Sequence, residues 1–259
     1  MIPKLFHVGA FFIPAYGLLV TVGVFLALLL AKRLAMRAGM NGDQIFDLGV
    51  SIVIAGLIGA KALLIVTDRT FLDSWASAWY LLRSGGVFYG GILFGAAAAW
   101  YYFRKYKLPF WKTADILGVG IPLAHFFGRL GCFAAGCCWG RECSLPWAVT
   151  FTNPDAHEIT GVPLNLPLHP TQLYEALFLA ALFGFVYWRY SKKRFDGQIF
   201  LTYVIVYAAF RFCIEFLRGD PRGTVFGLLS TSQAIAIGSC ALASIIYALR
   251  NKALHRLRA

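Results

Sequence analysis

Apolar blocks of roughly 20 residues recur along nearly the whole sequence, each closed by a short polar or basic connection, and this rhythm leaves few folds open. A hydrocarbon core of about 30 Å is crossed by about 20 helical residues at about 1.5 Å each. The blocks near 10–31, 45–67, 86–103, 113–136, 171–188, 198–217 and 226–249 therefore read as seven transmembrane helices. Charged residues make up only 14% of the chain and mean hydropathy is +0.67, whereas a soluble domain carries about 25% charged residues. The expectation is an all-α integral membrane protein. No polar segment is long enough for a separate soluble unit, so residues 1–259 are expected to form a single membrane domain.

A formal charge of +12 raises the question of nucleic acid, and the positions of the 24 basic residues answer it. Fifteen fall in alternate short connections or the C-terminal tail: Lys32, Arg33 and Arg37; Arg104, Lys105, Lys107 and Lys112; Arg189, Lys192, Lys193 and Arg194; Arg250, Lys252, Arg256 and Arg258. That asymmetry is the positive-inside pattern. It predicts the N-terminus outside and the C-terminus in the cytoplasm, with no nucleic-acid partner. The first span has no small-residue cleavage site before Lys32 and Arg33, so it reads as an uncleaved helix.

Within this apolar chain, His125–Gly140 (HFFGRLGCFAAGCCWG) gathers polar and reactive groups. Arg129 lies roughly 16 residues, about 24 Å, from the cytoplasmic end of its span. An arginine near the centre of a lipid-facing helix costs at least about 2.5–3.5 kcal/mol, so it should face a cavity or a partner. His125 precedes it by one helical turn and shares its face. Tyr207, Arg211, Glu215 and Arg218 follow helical spacing on the sixth span and form one stripe, in which Arg211 and Glu215 suit an intrahelical ion pair. Lys61, Glu175 and Gln172 fall at comparable depth. Tyr16, Tyr89 and the glycine pair Gly90–Gly91 lie near the outer face, where a tyrosine is ordinarily an interfacial anchor and paired glycines permit close helix approach. Asp47 and Asp115, in first turns, read as carboxylates favoured by the helix dipole.

These placements predict one polar cavity open to the outside. Arginines there suit bidentate binding of a phosphate or phosphodiester, and a site between helices admits a lipid whose tails stay in the bilayer. An anionic phospholipid is the expected ligand. Spacing alone leaves an enzyme, a lipid binder and a transporter open. The longest connection, about 138–170, is expected to be extracytoplasmic. Cys132, Cys137, Cys138 and Cys143 lie at its start, where an oxidising compartment permits a disulfide; a membrane thiol-disulfide oxidoreductase is the alternative they raise. The C-x2-C spacing of common zinc sites is absent, and neither metal nor cofactor is expected.

GRLGCFAAGCCWGR (Gly128–Arg141) resembles the signature of the prolipoprotein diacylglyceryl transferases. The resemblance extends through Tyr16–Gly17, Gly59–Lys61, Tyr89–Gly91, Asp115, His169–Glu175 and Tyr207–Arg218. It implies a bacterial inner-membrane enzyme with seven spans that moves the diacylglyceryl group of phosphatidylglycerol onto the lipobox cysteine of a prolipoprotein signal peptide, releasing glycerol 1-phosphate. Arg129 and Arg211 would then hold the phosphate. Arg218 matches a further basic position, and Tyr16, Tyr207 and Gly140 match positions lining the site. The remaining substrate-binding candidates are Lys61, Gly90, Gly91, Gln172, Glu175 and Glu215. The chain departs from better-known members at Cys132, Cys137 and Tyr89, where they carry asparagine, glutamate and histidine. Tyr89 stands in place of the histidine expected to help deprotonate the acceptor thiol, so His125 or Tyr89 itself, or the field of Arg129 and Arg211, is expected to take that role.

Overall fold

The computed structural model describes residues 4–8, 11–72, 86–221, 223–225 and 227–258. Its long helices follow the apolar blocks: α1 (Ala15–Arg37), α2 (Gly42–Thr67), α3 (Phe88–Tyr106), α4 (Phe110–Ala135), α6 (Thr171–Tyr190), α7 (Gln198–Ile214) and α8 (Thr231–Arg258). A short helix, α5 (Pro154–Thr160), lies in the long connection. Among the described residues, six helices are long and apolar enough to cross a membrane. The seventh expected span, α3, has 19 residues but carries Arg104 and Lys105 in its last turn and is not one of the six. Large apolar side chains stay uncovered on these helices; Leu177 is 70% exposed and Leu57 62%. In water such faces would be a liability, but in lipid they are solvated. The protein is a mostly helical, multi-pass membrane protein.

Two ends differ from expectation. Residues 4–8 and 11–14, the latter expected inside the first span, pair as strands β1 (Lys4–Val8) and β2 (Phe11–Pro14). Pro14, with no amide hydrogen to give, marks the boundary where the helix begins. Before α8, β5 (Thr224–Val225) pairs with β6 (Leu229–Ser230), so the last helix starts at Thr231 rather than near 226.

The chain divides into two compact units, one of Met1–Ala27 with Ala114–Ala259 and one of Leu28–Thr113. In the smaller unit, the Asn41 side chain accepts from the amides of Asp43 and Gln44 and caps α2. α2 and α3 meet along glycines: a side chain at Gly59 would overlap the Gly90 carbonyl, and one at Gly90 would overlap the Gly59 carbonyl. Val87 donates to the Ala60 carbonyl at 3.0 Å, fixing the entry of α3 beside Lys61.

The larger unit carries the 136–170 connection as a small folded layer. Asn153 caps α5, Pro154 opens it and Gly161, at φ 70°, closes it, the residue types those positions favour. Trp139, Phe151, Ala156, Val162 and Leu168 form its core, and β3 (Val149–Thr150) pairs with β4 (Pro167–Leu168). At the opposite end of the unit, Asp115 is fully buried. It accepts from the amides of Gly197 and Ile199 at 2.8 Å, from Phe200 at 3.1 Å and from Lys193 at 2.9 Å. A carboxylate from α4 thus caps α7, whose own cap residue, Gly197, has no side chain to do it. Lys193 has its affinity for the proton raised: burial, which alone would lower it, is outweighed by the hydrogen bonds it donates to the carboxylates of Asp196 and Asp115.

Candidate active site

Helical spacing puts His125 and Arg129 one turn apart on α4, and both turn toward α6, where Glu175 is fully buried. A single oxygen, Oε1 of Glu175, receives Arg129 Nη2 at 2.9 Å and the Tyr207 hydroxyl at 2.8 Å, with His125 Nε2 at 3.6 Å. The His125 ring meets Tyr207 edge-on at 5.1 Å between ring centres. Tyr207 in turn stacks on Tyr203, one turn away on α7, at 5.8 Å and 9° between planes. Three helices therefore converge on one carboxylate, which neutralises Arg129 and fixes its orientation.

One turn beyond Tyr207, Arg211 pairs with Glu215, which opens the 3-10 turn continuing α7, at the spacing the stripe predicted. Its Nη2 also donates to Ser232 Oγ of α8 at 3.2 Å. Arg218 is buried and grips Asp220 through parallel hydrogen bonds of 2.7 and 2.8 Å. Burial works against its charge, but the Asp220 carboxylate and Cys138 outweigh it and hold the guanidinium firmly protonated.

Each of these three arginines thus has its own carboxylate, which offsets its charge locally. Buried hydrogen-bonding capacity remains unsatisfied on both sides, since Glu175 Oε2 and Gln172 Oε1 lack a partner among the described residues and so do three arginine donors. Arg129 Nε, Arg211 Nη1 and Arg218 Nη1 are all buried without a hydrogen-bond partner among the described residues. A guanidinium offers five N–H donors in a rigid fork, and leaving one buried and unmade costs about 1–3 kcal/mol or more. His125 lies within the electrostatic reach of Arg129 and Arg211, and Cys138 within that of Arg218 and Arg129. The arrangement suits an oxyanion with several acceptor atoms, such as a phosphate or phosphodiester.

The walls of the site are main chain. Gly140 donates to the His169 carbonyl at 3.1 Å, Arg141 to Leu217 at 2.8 Å and Gly219 to Trp139 at 3.1 Å. A Cβ on Gly140 would sit 2.5 Å from the His169 carbonyl oxygen, and one on Gly219 would sit 2.6 Å from the Gly140 oxygen. Only glycine permits that approach, which is the physical content of the Gly140 match. Arg141 Nε adds a bond to the Arg218 carbonyl at 3.2 Å.

After α4 the chain turns at Gly136, φ 79°, and passes through Cys138 at φ 64°. Gln172 Nε2 holds the Cys137 carbonyl at 2.8 Å and Thr171 Oγ1 holds the Cys138 carbonyl at 2.9 Å. The six cysteines are free in the structure, with no disulfide among them. The sulfurs of Cys132, Cys137 and Cys138 lie within 4.8 Å of one another. Cys143 is not among them. Hydrogen bonds from the Cys132 and Cys137 thiols lower the proton affinity of Cys138, against the effect of burial, and Arg218 and Arg129 add to that. Tyr16 packs its ring against Gly131, beside Cys132.

Of the residues singled out from sequence, Arg129, His125, Glu175, Tyr207, Arg211, Glu215, Arg218, Gln172, Gly140 and Tyr16 all lie in the larger unit. Lys61, Tyr89, Gly90 and Gly91 belong to the smaller one. Sequence reasoning missed Thr171, Ser232 and Asp220. A hydroxyl at a helix start carried no signal of what it would hold, but Asp220, two residues after Arg218, was a readable ion-pair spacing.

The chain matches the family model described as prolipoprotein diacylglyceryl transferase over residues 3–249. It is 38% identical over 237 residues to the phosphatidylglycerol--prolipoprotein diacylglyceryl transferase of Clostridium tetani, covering 92% of this chain and 93% of that protein. It is 36% identical over 224 residues to the protein named phosphatidylglycerol--prolipoprotein diacylglyceryl transferase 2 of Clostridium perfringens, covering 86% and 85%. A Corynebacterium diphtheriae protein of the same function name is 32% identical over 260 residues, covering 94% and 91%. Matches of that extent, on a chain whose buried arginines and glycine strap occupy the resembling positions, establish the family. The chain belongs to the prolipoprotein diacylglyceryl transferases.

Proposed function

We propose that this protein transfers the diacylglyceryl group of phosphatidylglycerol to the cysteine thiol of a prolipoprotein lipobox, releasing glycerol 1-phosphate, as the names of its relatives indicate for them. The observation that carries the reading is that Arg129, Arg211 and Arg218 each hold a buried guanidinium nitrogen with no hydrogen-bond partner among the described residues. A phosphodiester supplies the acceptors they lack. In the reaction the thiolate sulfur bonds to the glycerol carbon of the diacylglyceryl group. The bond from that carbon to the phosphate oxygen breaks, and its electron pair leaves with the phosphate. Charge grows on the departing phosphate, and donors already aimed at it stabilise that state most. Glu175 keeps the Arg129 fork in place. Gly140 lets the outer wall approach closely.

The proposed setting is the bacterial inner membrane, with α3 completing seven spans, the N-terminus outside, the C-terminus cytoplasmic and the site facing the outer leaflet. Both units then belong to one membrane domain. Membrane lipids supply the donor. Lys61, Tyr89, Gly90 and Gly91 are proposed to contact the substrates on the resemblance alone.

The test is purified protein in detergent with phosphatidylglycerol and a lipobox peptide, read by mass spectrometry for the thioether-linked lipopeptide. Arg129→Ala is expected to lose about 100- to 1000-fold in rate. Phospholipid binding without covalent product would instead make the protein a lipid binder.

A further inference from the structure

Three sulfurs converge beside the arginines, and nothing in the transfer chemistry described so far uses them. We propose that Cys132, Cys137 and Cys138 form a three-thiolate zinc site whose fourth position takes the thiol of the acceptor cysteine. The inference deepens the transfer reading and rests on it.

The geometry comes first. Zinc binds thiolate sulfur at about 2.3 Å in a tetrahedron, which places ligand sulfurs about 3.8 Å apart. The Cys132, Cys137 and Cys138 sulfurs all fall within 4.8 Å of one another, so small side-chain rotations close the difference. The backbone that presents them is fixed: the Cys137 amide donates to Cys132 O at 3.1 Å, and Gln172 and Thr171 hold the next carbonyls from α6 at 2.8 and 2.9 Å. Cys132 is buried while Cys137 and Cys138 are only partly so, which leaves the cluster an approach.

Charge and ligand number then select the occupant. Thiolates favour soft and borderline metals, and a site with three protein ligands keeps an open position for substrate. Zinc with three thiolates carries a net negative charge, and the neighbouring Arg129 and Arg218, both within electrostatic reach of Cys138, balance it. A thiol entering the fourth position is deprotonated by the metal. Its proton goes to solvent, and the bound thiolate attacks the glycerol carbon as the carbon–oxygen bond to phosphate breaks. The thioether formed is a neutral, weaker ligand and leaves the metal. No redox change occurs. The site therefore activates the nucleophile without a general base.

The test uses the full-length protein purified under reducing conditions, with zinc content measured by elemental mass spectrometry. Stoichiometric zinc is expected, lost in Cys137→Ser and Cys138→Ser and retained in Cys143→Ser. Removing zinc with a chelator should lower lipopeptide formation at least about tenfold, with recovery on adding Zn2+. Cobalt substituted into the wild-type protein should show a sulfur-to-metal charge-transfer band that changes when the lipobox peptide binds. Because this readout uses the unmutated chain, misfolding of a cysteine variant does not obscure it. Full activity in zinc-free protein, a disulfide among these cysteines, copper in place of zinc, or a cobalt spectrum indifferent to the peptide would each overturn the proposal while leaving the transfer reading intact. Zinc bound as described, with peptide entering its coordination but no thioether formed, would sustain the site and sink the transfer reading.

Discussion

Glu175 is the residue on which the arginine site turns. It is fully buried, and one of its oxygens serves Arg129 and Tyr207 while also facing His125. Removing one partner of a buried ion pair leaves the other charge uncompensated, at a cost of about 3–5 kcal/mol. Glu175→Gln, which keeps the shape and removes the charge, is therefore expected to lower both the unfolding temperature in detergent and the transfer rate. Tyr207→Phe should be milder, at about 1.5–3 kcal/mol for a hydrogen bond to a charged group. Unfolding and transfer assays on the pair check this, and a Glu175→Gln protein indistinguishable from wild type would mean that Glu175 does not hold Arg129. The polar residues of this cluster were legible because an arginine inside an apolar span has so few alternatives. Their pairing was not: Arg129 and Glu175 are 46 positions apart in the sequence, and helical spacing relates only residues on the same helix.

At the scale of the element, the cap that Asp115 places on α7 ties two distant helices together at their ends. The sequence reading treated Asp115 as a carboxylate serving its own helix, since a first-turn position says nothing of neighbours. In the structure its oxygens instead meet Gly197, Ile199, Phe200 and Lys193. Asp115→Asn is expected to destabilise the protein by about 1–3 kcal/mol and to speed hydrogen exchange at the start of α7. Unchanged exchange there would argue against the cap. Lys193 adds a pH dependence. Its folded-state proton affinity is raised, so its contribution is complete below the unfolded lysine value of about 10.4 and is lost as pH rises through the higher folded value. Unfolding temperature should fall in that alkaline window for wild type and less so for Lys193→Gln. The helices were readable because their apolar blocks have the right length. The strand pair at residues 4–8 and 11–14 and the folded connection were not, because short strands and turns leave too weak a pattern.

Across the molecule, the basic connections and the exposed apolar faces together specify how the chain should sit in a bilayer. A green fluorescent protein fused after Ala259 is expected to fluoresce, and alkaline phosphatase at the same point to be inactive. The reverse result would invert the proposed topology and put the arginine site on the wrong side for an exported acceptor. The three-sulfur cluster shows why some of this was out of reach from sequence. Counting along C-x4-C-C gave no zinc motif, whereas the positive φ angles at Gly136 and Cys138 fold the count back on itself.

The glycine strap also has a meaning in time. Trp139–Arg141 is knitted to His169 and then to Leu217–Gly219, stretches separated by α6 and α7. A ribosome delivers these pieces in order, so the strap cannot close until residue 219 has emerged and the intervening helices have entered the bilayer. Until then Arg129 is already in the membrane while the outer wall of its site is still missing. The outer wall of the site is therefore completed only after α6 and α7 have joined α4, and Ser232 reaches Arg211 later still.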